Sequence, residues 1–349
     1  MSQSGGGIGN VKYAGALVDM AMGYTRSRAL CAAARLGIAD VLCEGGSSVA
    51  DLAIACKAHP TSLRRLLRAL STFGIVCETS QDRFVLTPLG APLCKAAPDS
   101  VWPAVVFWGD LLADSWSHLT DCVRTGTTSF EIMKRDGIAS RWSKDPEANG
   151  IFRAVMGTGP AEDYMPLARA WDFSDCQVAA DLGGGGGTLI LAILKAYPTL
   201  QGILVERQES IDQASPRFAA EGLASRCALI AADLCEGVPP GADVYLLKHV
   251  LHGYSDDAAA GVLKNCRAVI PSKGRLLVIE FVLPDVFDRV DRELELRAMS
   301  DLNMMAVTGG KERCAAEWKQ LLLQSRFEVH RIIPVPGESA SIIEAAPVN

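Results

Sequence analysis

The stretch AADLGGGGGTLILAIL, Ala179 to Leu194, constrains the fold more than any other part of the chain. Gln177 to Leu182 predicts a short apolar strand, Gly183 to Gly187 a turn almost without side chains, and Thr188 onward a helix. A strand that passes through glycine into a helix N-terminus brings backbone N–H groups close to a ligand. In isolation five consecutive glycines read as a flexible loop. Placed between strand and helix, they predict a cradle for a nucleotide-like cofactor.

From Gln177 the pattern alternates. Strands are predicted at QVAADL, QGILVE, CALIAA, DVYLLK and RLLVIEFV with helices between them, and the tail adds a helix (Ala315 to Gln324) and two strand-like runs, FEVHRIIPV and SASIIEAA. Such alternation predicts an α/β domain with a doubly wound, mostly parallel sheet. Ligands of such sheets sit at the carboxyl ends of the strands. Asp181 ends the first strand, Glu206 the second, and Asp233 follows the third. Glu206 falls about twenty residues past the glycines, where an acid reaches ribose hydroxyls; Asp233 and Leu234 then offer the base one polar contact and one apolar face. A nicotinamide dinucleotide needs a third small residue three positions after the second glycine. Thr188 or Leu189 stands there, and neither fits.

The chain before this region is helical in pattern. From Lys12 to about Leu70 apolar residues recur at helical spacing (Leu17, Met20, Ala21, Tyr24), with Gly37 as a C-terminal cap and Gly45-Gly46 as a turn. SSVADLAIAC and HPTSLRRLLRALSTFG predict two helices, the second capped by Thr61 or Ser62, and IVCETSQDRFVLTP predicts a hairpin. Helix, turn, helix and hairpin form a winged-helix pattern. Arg64, Arg65 and Arg68 are its candidate DNA contacts, but the broad apolar face of Leu63, Leu66, Leu67 and Leu70 and a net charge of −6 favour a packing or dimerisation unit. Residues 90 to 170 are helix-like and carry Trp102, Phe107, Trp108, Trp116, Trp142 and Phe152, read mainly as core, with some walling a pocket for a flat substrate. A hinge is expected near Ala170 to Ser174. The resulting division is 1–100, 101–172 and 173–349.

Eleven cysteines are scattered among apolar residues without Cys-x-x-Cys or Cys/His metal spacing, so they are expected to be reduced thiols of a cytoplasmic protein, with no metal site. No signal peptide or long apolar run appears, so neither export nor membrane spanning is expected.

In series, DLGGGGGT, the acid of LVERQ, AADL, LLKHVLHGYSDDAAAGVLKNC, GRLLVIEFVLP and DLNMMAVTGGKER resemble the motifs of the S-adenosylmethionine-dependent small-molecule O-methyltransferases. That family includes the plant caffeic-acid-type enzymes, acetylserotonin methyltransferase and many bacterial natural-product methyltransferases. The resemblance spans nearly the whole chain. It implies a class I methyltransferase fold and a helical N-terminal winged-helix dimerisation domain. It further implies a homodimer in which each N-terminal domain helps close its partner's site, and methylation of a hydroxyl, usually phenolic. Gly183, Gly185, Glu206, Asp233, Leu234 and Lys248 match its cofactor-contacting positions. His252 matches its general base, Glu280 and Glu312 the acids flanking that base, and Met156, Asn303, Met304 and Met305 positions that line the acceptor pocket. The chain departs from the pattern in having Gly253-Tyr254 where Asp-Trp is usual, which puts the hydrogen bonding of that loop in question and predicts a wider acceptor site. Glu206 also replaces the usual Asp of plant members.

Methyl transfer is an in-line displacement in which the acceptor oxygen attacks a methyl on a positively charged sulfur. The protein must orient the partners and remove the hydroxyl proton. A phenol titrates near 10 and a histidine near 6.5, so unaided transfer is uphill by ~3.5 units, about 5 kcal/mol. Deprotonation concerted with attack, beside the sulfonium charge, absorbs that gap. The job needs a neutral histidine held in one tautomer by a carboxylate. His252, at the carboxyl end of DVYLLK, is assigned as base; His249 is its rival and is otherwise a loop residue near the cofactor. The acceptor is expected to be an aromatic small molecule, with no nucleic-acid or membrane partner. The alternatives are a cofactor-sensing winged-helix regulator that binds DNA and a nicotinamide-dependent oxidoreductase.

Overall fold

The computed structural model describes residues 7–135, 137, 144–156 and 160–348; Trp142 lies outside them. The chain forms two compact units, Met1–Asp114 with Pro146–Val155, and Ser115–Asp145 with Met156–Asn349.

The first unit opens with a long helix, Gly7–Arg35, after which Gly37 takes the left-handed φ of 69° expected of a cap. The helices Val49–Ala55 and Pro60–Thr72 follow, the second burying Leu63, Leu67 and Leu70. Its cap differs from expectation. His59 is the N-cap and Pro60 opens the helix, so Thr61 and Ser62 lie inside it. Proline's fixed φ suits that first position, where no N–H is needed. The expected hairpin forms from Val76–Ser80 and Arg83–Leu86, and Ser47–Ser48 adds a third short strand beyond Arg83–Leu86. The unit is therefore helical with a small antiparallel sheet added to it. Arg64 is ion-paired to Asp82 of that hairpin. Trp102 donates its indole N–H to the Ala34 carbonyl at 3.0 Å, and Phe107 packs against Trp108 and Phe152.

The second unit is built on a seven-stranded sheet. Its strands are β1 (Val178–Leu182), β2 (Gln201–Glu206), β3 (Cys227–Ala231), β4 (Val244–Lys248), β5 (Arg275–Glu280), β6 (Phe327–Pro334) and β7 (Ser341–Pro347). The spatial order is β6-β7-β5-β4-β1-β2-β3. β1 to β5 are parallel, and β7 is antiparallel to both neighbours. The predicted strands and tail helix all form. Their apolar runs are continuous because both faces are covered: Ala179, Leu246 and Leu277 belong to one core, and Ala180, Tyr245, Leu247 and Val278 to the other. The helix Thr188–Ala196 is buried from Thr188 to Leu194, which explains its uniformly apolar sequence.

All eleven cysteines are free thiols. Among the described residues no helix is long and apolar enough to cross a membrane.

Candidate active site

The parallel register brings the carboxyl ends of β1, β2, β4 and β5 to one edge of the second unit, with Glu206 opposite Ala231 and Lys248 opposite Ile279. The glycine turn leaves β1 at that edge. Gly183 and Gly185 have φ of 69° and 55°, a region costly to residues with a Cβ. A Cβ on Gly184 would lie 2.3 Å from the Asp181 carboxylate and one on Gly187 2.6 Å from the Phe218 ring, whereas one on Gly185 would meet nothing within 4 Å. The cradle is thus packed from behind and open at Gly185, which suits a ligand bound against its backbone. Asp181 lies behind the turn and is wholly buried, which pushes its carboxyl up to about 7.

Glu206 at the end of β2 accepts the Arg207 N–H at 2.7 Å, and burial raises its pKa. Asp233 is exposed, its Oδ1 accepting the Cys235 N–H at 2.8 Å, while Leu234 is buried beside Gly183. The Asn265 amide donates to the Leu234 and Cys235 carbonyls at 2.8 and 3.1 Å and fixes this loop. Lys248 sits over the Tyr164 ring at 4.9 Å. Burial depresses its ammonium, against the opposing pull of Asp181, Glu280 and Glu338. Acceptors at Glu206 and Asp233, an apolar Leu234 and the open glycine backbone make a donor set that fits an adenosine-type group with a zwitterionic tail.

Beyond Lys248 the chain turns through His249, Val250 and a short 3₁₀ segment, Leu251–Gly253. Glu280, at the end of β5 and wholly buried, organises this turn. Its Oε1 accepts the backbone N–H groups of Val250, Leu251 and His252 at 3.0, 2.9 and 3.3 Å, and its Oε2 lies 3.7 Å from His252 Nδ1. Burial disfavours its charged form, but the His252 and His249 rings and the His252 amide outweigh burial and hold the carboxyl below the usual range. His252 Nδ1 is 2.7 Å from Glu312 Oε1. Burial is the largest influence on the ring and favours the neutral form; Glu280 and Glu312 together overcome it, and the pKa of His252 is raised.

The segment after Gly309 locks the loop from the other side. A Cβ on Gly310 would stand 2.0 Å from the His252 carbonyl oxygen, so only glycine fits this approach. Glu312 Oε1 also accepts the Ser300 hydroxyl at 2.7 Å, and the Glu312 N–H donates to Asp301 at 2.8 Å. Arg313, wholly buried, donates to the Leu251 and Tyr254 carbonyls, each at 3.2 Å, and to Asp256. The loop is therefore closed without the Asp-Trp pair: Glu280 and Arg313 supply its hydrogen bonds, and a Cβ on Gly253 would meet open space.

Of the residues expected to line an acceptor pocket, Asn303 is buried on the helix Arg292–Val307 and its Oδ1 accepts the Trp116 indole N–H at 3.2 Å. Met304 and Met305 are half-buried. Successive helical residues turn by about 100°, so Ser300, Asn303 and Met304 share a stripe and Met305 points away from it. Met156 is exposed at the end of the helix Pro146–Met156. His252, Glu280 and Glu312 are thus brought together, whereas Met156 and Met305 are not joined to Asn303 by any described contact. Sequence reasoning missed Ser300, Gly310 and Arg313. The GGKER run was the available signal, but which buried group each residue would meet depends on a turn sixty residues away.

A family profile described as "O-methyltransferase domain" matches residues 116–328, and one described as "O-methyltransferase dimerisation domain" matches residues 18–95. The phenazine O-methyltransferase of Lysobacter antibioticus is 33% identical over 97% of this chain and 98% of its own length. The solved mitomycin 7-O-methyltransferase superposes with a TM-score of 0.90 at 33% identity, covering 98% of this chain and 100% of that one. A neocarzinostatin-pathway O-methyltransferase, solved with S-adenosylmethionine and 2-hydroxy-5-methyl naphthoic acid, gives a TM-score of 0.80 at 28% identity over 93% of this chain and 96% of its own. Fold and site together define a class I methyltransferase with a helical dimerisation domain. The chain belongs to the O-methyltransferase family, whose enzymes use S-adenosylmethionine as methyl donor. The DNA-binding alternative gains no support from these relatives.

Proposed function

We propose that this enzyme methylates a hydroxyl, of phenolic type, on an aromatic natural-product intermediate, with His252 as general base. The observation that carries the reading is the 2.7 Å contact between His252 Nδ1 and Glu312 Oε1 at the carboxyl edge of the sheet. With Nδ1–H donated to Glu312, the lone pair of Nε2 is free to take the hydroxyl proton. The cradle of Gly183 and Gly185, with Glu206, Asp233, Leu234 and Lys248 along it, would hold S-adenosylmethionine, which would supply a methyl on a positively charged sulfur. The methyl–sulfur bond would break as the acceptor oxygen takes the methyl, the sulfur leaving as a neutral thioether, while the hydroxyl proton passes to Nε2 and Glu312 and Glu280 stabilise the resulting imidazolium. Asn303 and Met304 orient the acceptor, and Met156 and Met305, which lie off their stripe, are given no part in it. We assign residues 1–100 to dimerisation, 101–172 to the helical connection and pocket, 173–349 to catalysis, and the enzyme to the cytoplasm.

A pH profile tests the base. Because the His252 pKa is raised, kcat/KM is expected to rise with pH through a midpoint above 6.5. The sign for stability is opposite: a raised histidine pKa stabilises the fold below the unfolded value and loses that contribution as pH climbs through the folded one. Glu312→Gln removes a charge that raises the pKa, so its midpoint moves to lower pH and its plateau falls ~10–100-fold. An unshifted midpoint would remove Glu312 from the role.

The homodimer is supported by the dimerisation-domain match and by an unpartnered stripe on the first helix: Tyr13, Leu17, Met20 and Tyr24, spaced i, i+4, i+7, i+11, are 72, 67, 77 and 64% exposed. Contiguous apolar area of this kind marks an interface. Light scattering should give the mass of two 37.2 kDa chains for the wild type and of one for the Leu17→Asp, Met20→Asp double variant. A monomeric wild type would exclude the dimer.

A further inference from the structure

We propose that His249, His252 and Glu280 form a latent inhibitory site for a divalent cation of the zinc class. Ligand atoms of these three residues lie within 4.8 Å of one another. Glu280 Oε2 is 3.3 Å from His249 Nδ1 and 3.7 Å from His252 Nδ1. Tetrahedral zinc with ligands at 2.0–2.1 Å needs separations of ~3.4 Å, and the two distances from Glu280 Oε2 lie on either side of that value. Two imidazoles and a carboxylate are the donor set such ions take in open three-ligand sites.

The site is built rather than accidental. The three amides that bind Glu280 Oε1 fix the carboxylate and leave Oε2, deeply buried, turned toward the imidazoles, 3.3 Å from His249 Nδ1. Two buried polar atoms with no other hydrogen-bond partner thus face each other. His249 is held there by a left-handed φ of 51°, unusual for a residue other than glycine. Sequence spacing gave no hint of this, because Glu280 lies on the next strand of the sheet.

The consequence for the reaction follows from the imidazole. A cation on His252 Nδ1 displaces the proton that Glu312 accepts, and in the neutral ring that proton moves to Nε2. The ring then has no lone pair facing the acceptor, so methyl transfer stops until the cation leaves. This inhibitory arm rests on His252 being the base; the binding arm does not.

The experiment uses the full-length enzyme freed of metal and titrated with ZnCl2, with bound zinc counted per chain after gel filtration and methyl transfer followed in parallel. His249→Asn is the informative variant, since asparagine tolerates the left-handed backbone; Glu280→Gln is the second. Wild type is expected to bind one more zinc per chain than either variant. Its methyl transfer is expected to be inhibited at zinc concentrations at least tenfold lower than in His249→Asn, and a chelator to restore it. Equal zinc binding and equal inhibition in wild type and His249→Asn place the metal elsewhere, on the thiols, and overturn the proposal. Loss of the extra zinc in the variant, with no inhibition of the wild type, supports the site and counts against His252 as base.

Discussion

Replacing His252 by alanine is expected to lower kcat ~10²–10⁴-fold, the usual contribution of a positioned base, while the dissociation constant for S-adenosylmethionine stays within a few-fold. The side chain removed is the one whose Nδ1 faces Glu312 at 2.7 Å, and the glycine cradle at the end of β1 is untouched. Glu312 keeps the Ser300 hydroxyl as a partner, so its buried carboxylate is not stranded and the fold survives. Raising the pH should recover part of the rate only through spontaneous ionisation of the acceptor, with a midpoint belonging to the acceptor and not to the protein. Turnover within tenfold of wild type would assign the proton to another group, and His249 would be the next to test.

The second large effect is expected from a single methyl group. Gly310→Ala puts a Cβ 2.0 Å from the His252 carbonyl oxygen and 2.7 Å from the Gly253 carbonyl carbon. Both are backbone atoms, so no rotamer change relieves the clash and the His252 loop must move. Overpacking of this kind costs about 1–3 kcal/mol. The movement pulls His252 away from Glu312 and from the amide contacts to Glu280, and a displacement near 1 Å at a reacting centre costs on the order of 10²-fold in rate. Calorimetric melting and kcat should therefore fall together, with cofactor binding the least affected. An unchanged kcat would mean that the loop adapts and that its register is not set by Gly310.

The glycine run and the placement of Glu206, Asp233, His252 and Glu280 at or just beyond strand ends are legible in the sequence, because strand-to-helix transitions and carboxyl ends are local events in the chain. The N-cap of the helix Pro60–Thr72 is His59, two or three residues before Thr61 and Ser62, because proline's fixed φ favours the first helical position over the common Ser and Thr caps. For Asn303 and Met305 the sequence specifies only a residue type. Asn303 acquires meaning through Trp116, 187 positions away, and Met305 turns away from the stripe of Asn303 because the helix rotates it there.

The sequence by itself determined the doubly wound sheet, the order of its elements and the cradle, because periodicity, glycine and strand ends follow from chain-local sterics and burial. Tertiary structure alone decided which atom of each carboxylate does what: Glu280 Oε1 ties down three amides, Oε2 faces two imidazoles, Glu312 takes Nδ1, and Arg313 holds the loop's carbonyls. Hydrogen bonds between residues far apart in the chain depend on angles and on tenths of an ångström set by packing, and a linear pattern of residue types carries neither.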